Sequence, residues 1–301
     1  MTPVRAWICG GITAALLALV SGCGSGAPAA VPRMVGPSGS DASGAADPAV
    51  PSSSDSPSPS PSGKPKPAGA APAGGPLDLH AVSGKTILVD PGHNGGNWAH
   101  PEIINQLVPM GTGSKPCDTT GTQTNGGYQE AAFTFDVAVR LEALLRAAGA
   151  RVVTTRDSNT GVGPCVDKRA AIGNDAHANV AISIHGDGAP STGHGFHVME
   201  PAMVGAPSNA IVGTSHVLAL RVRDNYRSRT GIPTSSYIGT NGINTRGDMA
   251  GLNLSVVPKV LIECGNMRNA GDAAMMTNPT YRQRMAEGMA AGLAAYLASV
   301  G

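Results

Sequence analysis

The sequence predicts an α/β domain over residues 77–301, with a central mostly parallel or mixed sheet and helices on both faces. Three observations predict it. Short apolar runs alternate with longer segments of helical periodicity from Lys85 to the C-terminus. Several of these runs are apolar at consecutive positions rather than at every second one, as in strands buried on both faces. No proline interrupts a proposed helix beyond its first turn.

The elements follow in order. Lys85–Val89, closed by Asp90-Pro-Gly, reads as a buried strand. Glu130–Ala148 sets Phe133, Val137, Leu141, Leu144, Leu145 and Ala148 on one helical stripe, and Gly149 ends it. Arg151–Thr155 is a strand, Val166–His177 a helix, Asn179–Ile184 a strand and Gly195–Met199 a fourth strand. Ser208–Ser228 is helical and Pro258–Ile262 is a fully buried strand. The last helix takes Asn278 as N-cap and Pro279 as its first residue. Its stripe runs through Met285, Met289, Leu293, Tyr296, Leu297 and Val300, with Met275 and Met276 as further core filler.

Ahead of this domain the composition changes. From Gly24 to Pro76, 43 of 53 residues are Pro, Ala, Gly or Ser and none is aromatic. Such a segment buries too little apolar surface to offset its ordering entropy, so residues 24–76 are expected to be a disordered tether. Residues 1–23 carry one Arg and the apolar run Ala6–Val20, short for a membrane span and suited to an export signal. The run ends in Val20-Ser-Gly-Cys23, which resembles the lipobox of bacterial lipoproteins and implies a lipid on Cys23. The expected location is the outer face of the cytoplasmic membrane or the cell wall. A net charge of +1 gives no electrostatic reason to bind nucleic acid. With 14% charged and 3% aromatic residues, the chain suits neither a coiled coil nor a stacking-type single-strand binder. A monomer is favoured.

Export changes how the cysteines read. No Cys-x-x-Cys pair or Cys–His cluster is present, so a thiolate metal site is disfavoured. Cys117 and Cys165 both sit in glycine-containing loops and are expected to form a disulfide. Cys264, after the apolar run, is expected to be a buried free thiol.

Chemistry collects where strands end and loops converge. His93 follows the first strand in Asp90-Pro-Gly-His, Glu130 opens the long helix on its inward face, and His185 follows Val180–Ile184. Two imidazoles and a carboxylate, with a fourth position left for water, make the ligand set of a catalytic zinc site. Glu263 closes an apolar strand, where a carboxylate is costly unless its charge is used. Singly, each has a plainer role: a hydrogen-bonded core histidine, or a glutamate complementing a helix dipole.

Together, Thr86-Ile-Leu-Val-Asp-Pro-Gly-His93, Tyr128-Gln-Glu130, Ile182-Ser-Ile-His185 and Val260-Leu-Ile-Glu-Cys-Gly-Asn266 resemble the four signature blocks of zinc-dependent N-acetylmuramoyl-L-alanine amidases, in that family's order. The loop cysteines and Gly195-Phe-His-Val198 look most like the small mycobacterial-type cell-wall amidases. The resemblance implies one Zn²⁺ held by His93, Glu130 and His185, Glu263 as the catalytic carboxylate, and peptidoglycan or muropeptides as substrate. The bond cut would join N-acetylmuramic acid to L-alanine. Metal chemistry alone does not name that bond, so another zinc hydrolase of the wall, a peptidase or deacetylase, stays open. A non-catalytic wall-binding lipoprotein is the remaining rival, and the presence of Glu263 argues against it.

Asp187 stands where relatives often carry Asn, and 36 residues separate His93 from Glu130, a long connection for this family. No additional wall-binding repeat is recognisable. That connection, Asn94–Gln129, is expected to border the site and limit access, with Asn97–Met110 its freer part. Asp90 is a candidate to orient a ligand imidazole or simply a turn residue. His194 and His197 are either cleft-lining or core histidines. Arg221, Arg223, Arg227 and Arg229 read as a solvated helix face or as a basic strip meeting anionic wall polymer.

Overall fold

The computed structural model describes residues 75–301. The export signal, Cys23 and nearly all of the expected tether lie outside the described residues. Six strands form the main sheet: β1 (Thr86–Pro91), β4 (Arg151–Thr154), β5 (Val180–Asp187), β6 (His197–Pro201), β7 (Ile243–Arg246) and β8 (Lys259–Asn266). Their order is β4-β1-β5-β8-β6-β7. The first four run parallel; β6 pairs antiparallel with β8 and parallel with β7, so the sheet is mixed, as expected. A two-stranded ribbon, β2 (Leu107–Pro109) with β3 (Ser114–Pro116), stands apart from it.

Strict alternation in β1, β5 and β8 gives the sheet two different faces. Ile87, Val89, Val180, Ile182, Ile184, Val260, Ile262 and Cys264 join the main hydrophobic core. Three helices cover them: α2 (Glu130–Ala147), α4 (Val212–Thr230) and α7 (Pro279–Val300). Gly288 and Gly292 let α7 approach α4 closely, because a Cβ at Gly292 would sit 2.6 Å from the Val222 Cα. Asn278 caps α7 by accepting from the Thr280 N–H, as its position in the sequence predicts. Val300, expected in the buried stripe, is exposed.

The opposite face starts apolar and becomes polar toward the C-terminal strand ends. Leu88 and Ala181 pack beneath α3 (Val166–Asp175). Leu261 and Met199 pack with Leu252 of α5 (Ala250–Asn253). The next positions on that face are Asp90, Ser183, His185 and Glu263. His185 and Glu263 were expected just beyond their strands but lie within them, paired directly across β5 and β8. Backbone pairing continues past the apolar runs because both residues face the cleft and leave the core side to Ile184 and Cys264.

The long connection is partly structured. It holds a 3₁₀ turn at Asn97–Ala99, the one-turn helix α1 (Pro101–Ile104) and the β2–β3 ribbon. Cys117 and Cys165 are bonded, and Cys264 is a buried free thiol. A final short helix, α6 (Ala270–Thr277), precedes α7. Among the described residues no helix is long and apolar enough to cross a membrane.

Candidate metal centre

Two tight glycine positions bring the three proposed ligands together. Asp90-Pro-Gly-His turns sharply out of β1 and leaves His93 in the left-handed region at φ 56°, uncommon for a non-glycine residue. Gly92 lies directly beneath the His185 ring, where any Cβ would overlap the imidazole. Gly121, at φ 72°, passes over Glu130 and His93, where a Cβ would lie 2.7 Å from Glu130 Oε2 and 2.9 Å from the His93 ring. In the resulting pocket, one donor atom from each of His93, Glu130 and His185 lies within 4.8 Å of the others. Glu130 Oε1 is 3.3 Å from His93 Nε2 and 3.0 Å from His185 Nδ1. The two rings stand nearly perpendicular, with centroids 5.0 Å apart.

Surrounding groups fix each donor. The Thr122 N–H donates to Glu130 Oε2 at 2.8 Å, and the Gly186 N–H donates to Oε1 at 3.1 Å. Burial works to raise the Glu130 carboxyl, yet the His93 charge and the two histidine hydrogen bonds hold it well below the usual range. His93 Nδ1 donates to Asp118 Oδ1 at 2.9 Å, which turns Nε2 toward Glu130. Burial opposes protonation of His93, but Glu130 and Asp118 raise its pKa well above the ordinary value.

Asp118, rather than Asp90, therefore orients the ring of a proposed ligand. Asp90 instead anchors a buried network below the site. It accepts from Thr155 Oγ1 at 2.7 Å, Arg169 Nη1 at 3.0 Å, Lys259 Nζ at 3.2 Å and the Ser183 hydroxyl. Burial would raise this carboxyl, but Lys259 and Arg169 hold it far below its usual range. Arg169 also donates to the His93 carbonyl at 3.0 Å and to Asp118 Oδ2 at 3.3 Å. It thus ties the network to the His93 turn.

Glu263 shares the cleft wall with the triad and Asp187. Burial pushes its carboxyl well above the ordinary carboxylate range, reinforced by Glu130 and Asp187, with His93 and Arg246 pulling the other way. A carboxyl displaced toward neutrality is suited to exchanging protons there. Asp187 accepts from the Tyr237 hydroxyl at 2.9 Å. His197 sits directly across the strands from Glu263, fully buried, and neither ring nitrogen has a partner. Burial holds it neutral, with its pKa lowered to about 4. His194 is exposed and hydrogen-bonds with Ser236.

The cleft is about 300 Å³. From the long connection, Lys115, Pro116, Asp118, Thr119, Gly121 and Thr122 line it, whereas no residue of Asn97–Met110 does. The border is therefore formed by the disulfide-tethered half rather than by the half expected to be freer.

A sequence model of the Amidase_3 family, the N-acetylmuramoyl-L-alanine amidases, matches residues 87–295. The chain belongs to this family. This amidase-family chain is 41% identical over 221 residues to the N-acetylmuramoyl-L-alanine amidase Rv3717 of Mycobacterium tuberculosis, covering 73% of the chain and 89% of that relative. The crystal structure of the N-acetylmuramyl-L-alanine amidase Ami1 from Mycobacterium smegmatis is 43% identical, with a TM-score of 0.68. That match covers 72% of this chain and 99% of Ami1. AmiC2 of Nostoc punctiforme, at 23% identity and a TM-score of 0.55 over 72% of this chain and 99% of that one, shares the fold. These matches bear out the mycobacterial-type placement. Sequence reading of this amidase-family member missed Asp118 and Arg169, whose spacing from His93 carries no periodic signal. The cysteine next to Asp118 was the nearest available clue.

Proposed function

We propose that the chain is an exported, zinc-dependent hydrolase that cuts the amide between N-acetylmuramic acid and L-alanine in peptidoglycan. The observation that carries the reading is the donor set: two imidazole nitrogens and a carboxylate oxygen within 4.8 Å of one another, beside a buried Glu263. This set fits Zn²⁺, because Asp118 holds the proton on His93 Nδ1 and leaves Nε2 available. His93, Glu130 and His185 would hold the ion. When bound, zinc supplies Lewis acidity, lowering the pKa of water and polarising a carbonyl.

The protein's own groups do the rest. Glu263 accepts a proton at its carboxylate and passes it to the departing L-alanine nitrogen. Glu263 is largely buried, and neutral His197 opposite adds no charge that would hold Glu263 permanently ionised. In the full chain, residues 1–23 would direct export, Cys23 would carry the anchor, residues 24–76 would span from membrane to wall, and residues 77–301 would be the catalytic domain.

The test is digestion of purified peptidoglycan by metal-stripped and zinc-reconstituted protein, followed by muropeptide mass analysis. Intact stem peptides with a free L-alanine amine, released only with metal, are expected. Internal peptide fragments or deacetylated sugars would replace this reading with a peptidase or a deacetylase. Glu263→Gln should keep its metal and fold but lose roughly 10²–10⁴-fold in turnover, the usual cost of removing a general base. Near-parental turnover would remove Glu263 from the mechanism.

A further inference from the structure

A second groove adjoins the catalytic cleft. It shares Gly121 and Thr122 with the catalytic cleft and continues past Asn94, Thr120, Gln123 and Gln129 to Trp98. Its volume, about 390 Å³, lies within the roughly 300–1,000 Å³ range of small-molecule clefts. Trp98 is 69% exposed, an unusual position for the only tryptophan among the described residues. An exposed indole beside a cleft offers a flat apolar face to a ligand.

The platform beneath this indole is rigid. Trp98 is the middle residue of the 3₁₀ turn Asn97–Ala99. Asn97, fully buried, donates from Nδ2 to the Thr119 carbonyl at 2.8 Å, and the same carbonyl lies 3.1 Å from His93 Nδ1. On the other side, the Gly96 N–H and the Asn94 amide both donate to the Gly161 carbonyl, at 2.8 and 2.7 Å. The backbone that carries the indole is thus tied to the segment that touches a proposed metal ligand.

The chemistry of the groove selects among the parts of the substrate. Its lining residues include no charged side chain; they offer amides, hydroxyls and one aromatic surface. A stem peptide, with its carboxylates and amines, would find no counter-charge there. A neutral N-acetylated sugar would find suitable partners: an apolar ring face matches an indole, and hydroxyl and acetamido groups match Gln amides and Thr hydroxyls. The basic side chains Lys115 and Arg169 line the catalytic cleft instead.

We propose that this groove is a saccharide subsite in which Trp98 stacks against a sugar ring of the glycan strand while Gln123 and Gln129 hydrogen-bond its polar groups. The assignment rests on the peptidoglycan reading above and adds to it which flank of the metal takes the glycan. It also gives the Asn97–Met110 half of the connection a binding role rather than a place in the cleft wall.

The test uses the full chain carrying Glu263→Gln, so that nothing is hydrolysed, and a stem-free probe, the β-1,4-linked tetramer of N-acetylglucosamine. Binding is followed by calorimetry and by ligand-observed NMR. Trp98→Ala should weaken the tetramer about tenfold, as for loss of an aromatic anchor, and Trp98→Phe should recover most of that loss. Melting temperatures of all three proteins are measured to establish that each is folded. Equal tetramer affinity with and without the indole would overturn the proposal, as would no binding by the parent or no recovery with phenylalanine. Hydrolysis by the unmodified enzyme is scored separately. Trp98-dependent sugar binding without amide cleavage would end the amidase reading and leave the subsite standing. Cleavage with Trp98-independent sugar binding would do the reverse.

Discussion

Replacing Arg169 by methionine tests whether the buried network beneath the metal centre holds both fold and site. The guanidinium is 4% exposed and donates to six acceptors: the Pro164, Pro91 and His93 carbonyls, the Thr155 hydroxyl, and the Asp90 and Asp118 carboxylates. Methionine keeps much of the volume and none of the donors. Removing one member of a buried ion pair costs about 3–5 kcal/mol, because the other charge stays buried. Lys259 still faces Asp90 at 3.2 Å and softens that half of the loss, so about 4 kcal/mol is expected. At roughly 2–4 °C per kcal/mol for a domain this size, the melting point should fall by about 8–16 °C. Asp118 loses its second partner, so His93 is held less firmly and zinc affinity should drop about 10–100-fold.

The acid side of the stability profile should change as well. The folded Asp90 carboxyl titrates well below its unfolded value, so its stabilisation is present above about pH 4 and is lost as pH falls below that toward the folded value. Without Arg169 the depression shrinks, and the variant should lose less further stability than the parent between about pH 4 and pH 2. Urea melts at several pH values with zinc titrations read all three effects. A melting point within about 3 °C of the parent, with unaltered zinc affinity, would refute the view that Arg169 joins network to site.

Three further outcomes are expected. His93→Ala and His185→Ala should each lower the zinc content of purified protein steeply by elemental analysis, and full occupancy in both would remove them as ligands. Replacing Cys117 and Cys165 together by alanine opens a loop of 48-residue separation and should cost about 4 kcal/mol in denaturant melts on the chain-entropy model; an unchanged midpoint would show the cross-link to be energetically idle. Gly92→Ala should empty the metal site while leaving the circular dichroism near that of the parent, because the atoms nearest to its methyl group all belong to the His185 ring; parental zinc content would show that the turn can yield.

The parts of this molecule that were legible from sequence are those that depend on burial alone. The central strands β1, β5 and β8 carry strongly apolar runs because both faces are covered, and their identity needed only consecutive Ile, Val and Leu. The ends of β5 and β8 were less legible, since His185 and Glu263 break the apolar pattern without breaking the backbone pairing. Lys259, read as part of an apolar strand, is fully buried against Asp90, a pairing across 169 positions that no local pattern encodes. The strand β7 (Ile-Asn-Thr-Arg) and the helix α6 escaped because each is short and weakly patterned. The proposed ligands were legible because each sits beside a recognisable block, whereas Asp118 depends on a loop that the disulfide and Arg169 bring back to His93.

The alternation along β1, β5 and β8 also limits how a lineage of such proteins can change. Moving one step along β8 exchanges Ile262 for Glu263, and one step along β5 exchanges Ile184 for His185. A single-codon insertion or deletion inside either strand would therefore turn the reactive groups into the hydrocarbon layer and expose isoleucines in the cleft. Two errors would arise from one event, and no nearby point substitution could repair both. Length variation is consequently confined to segments outside the ladder, of which Asn94–Gln129 is the longest between two proposed ligands. Descendants of this fold can diversify what surrounds the cut bond far more freely than the spacing within the strands that carry His185 and Glu263.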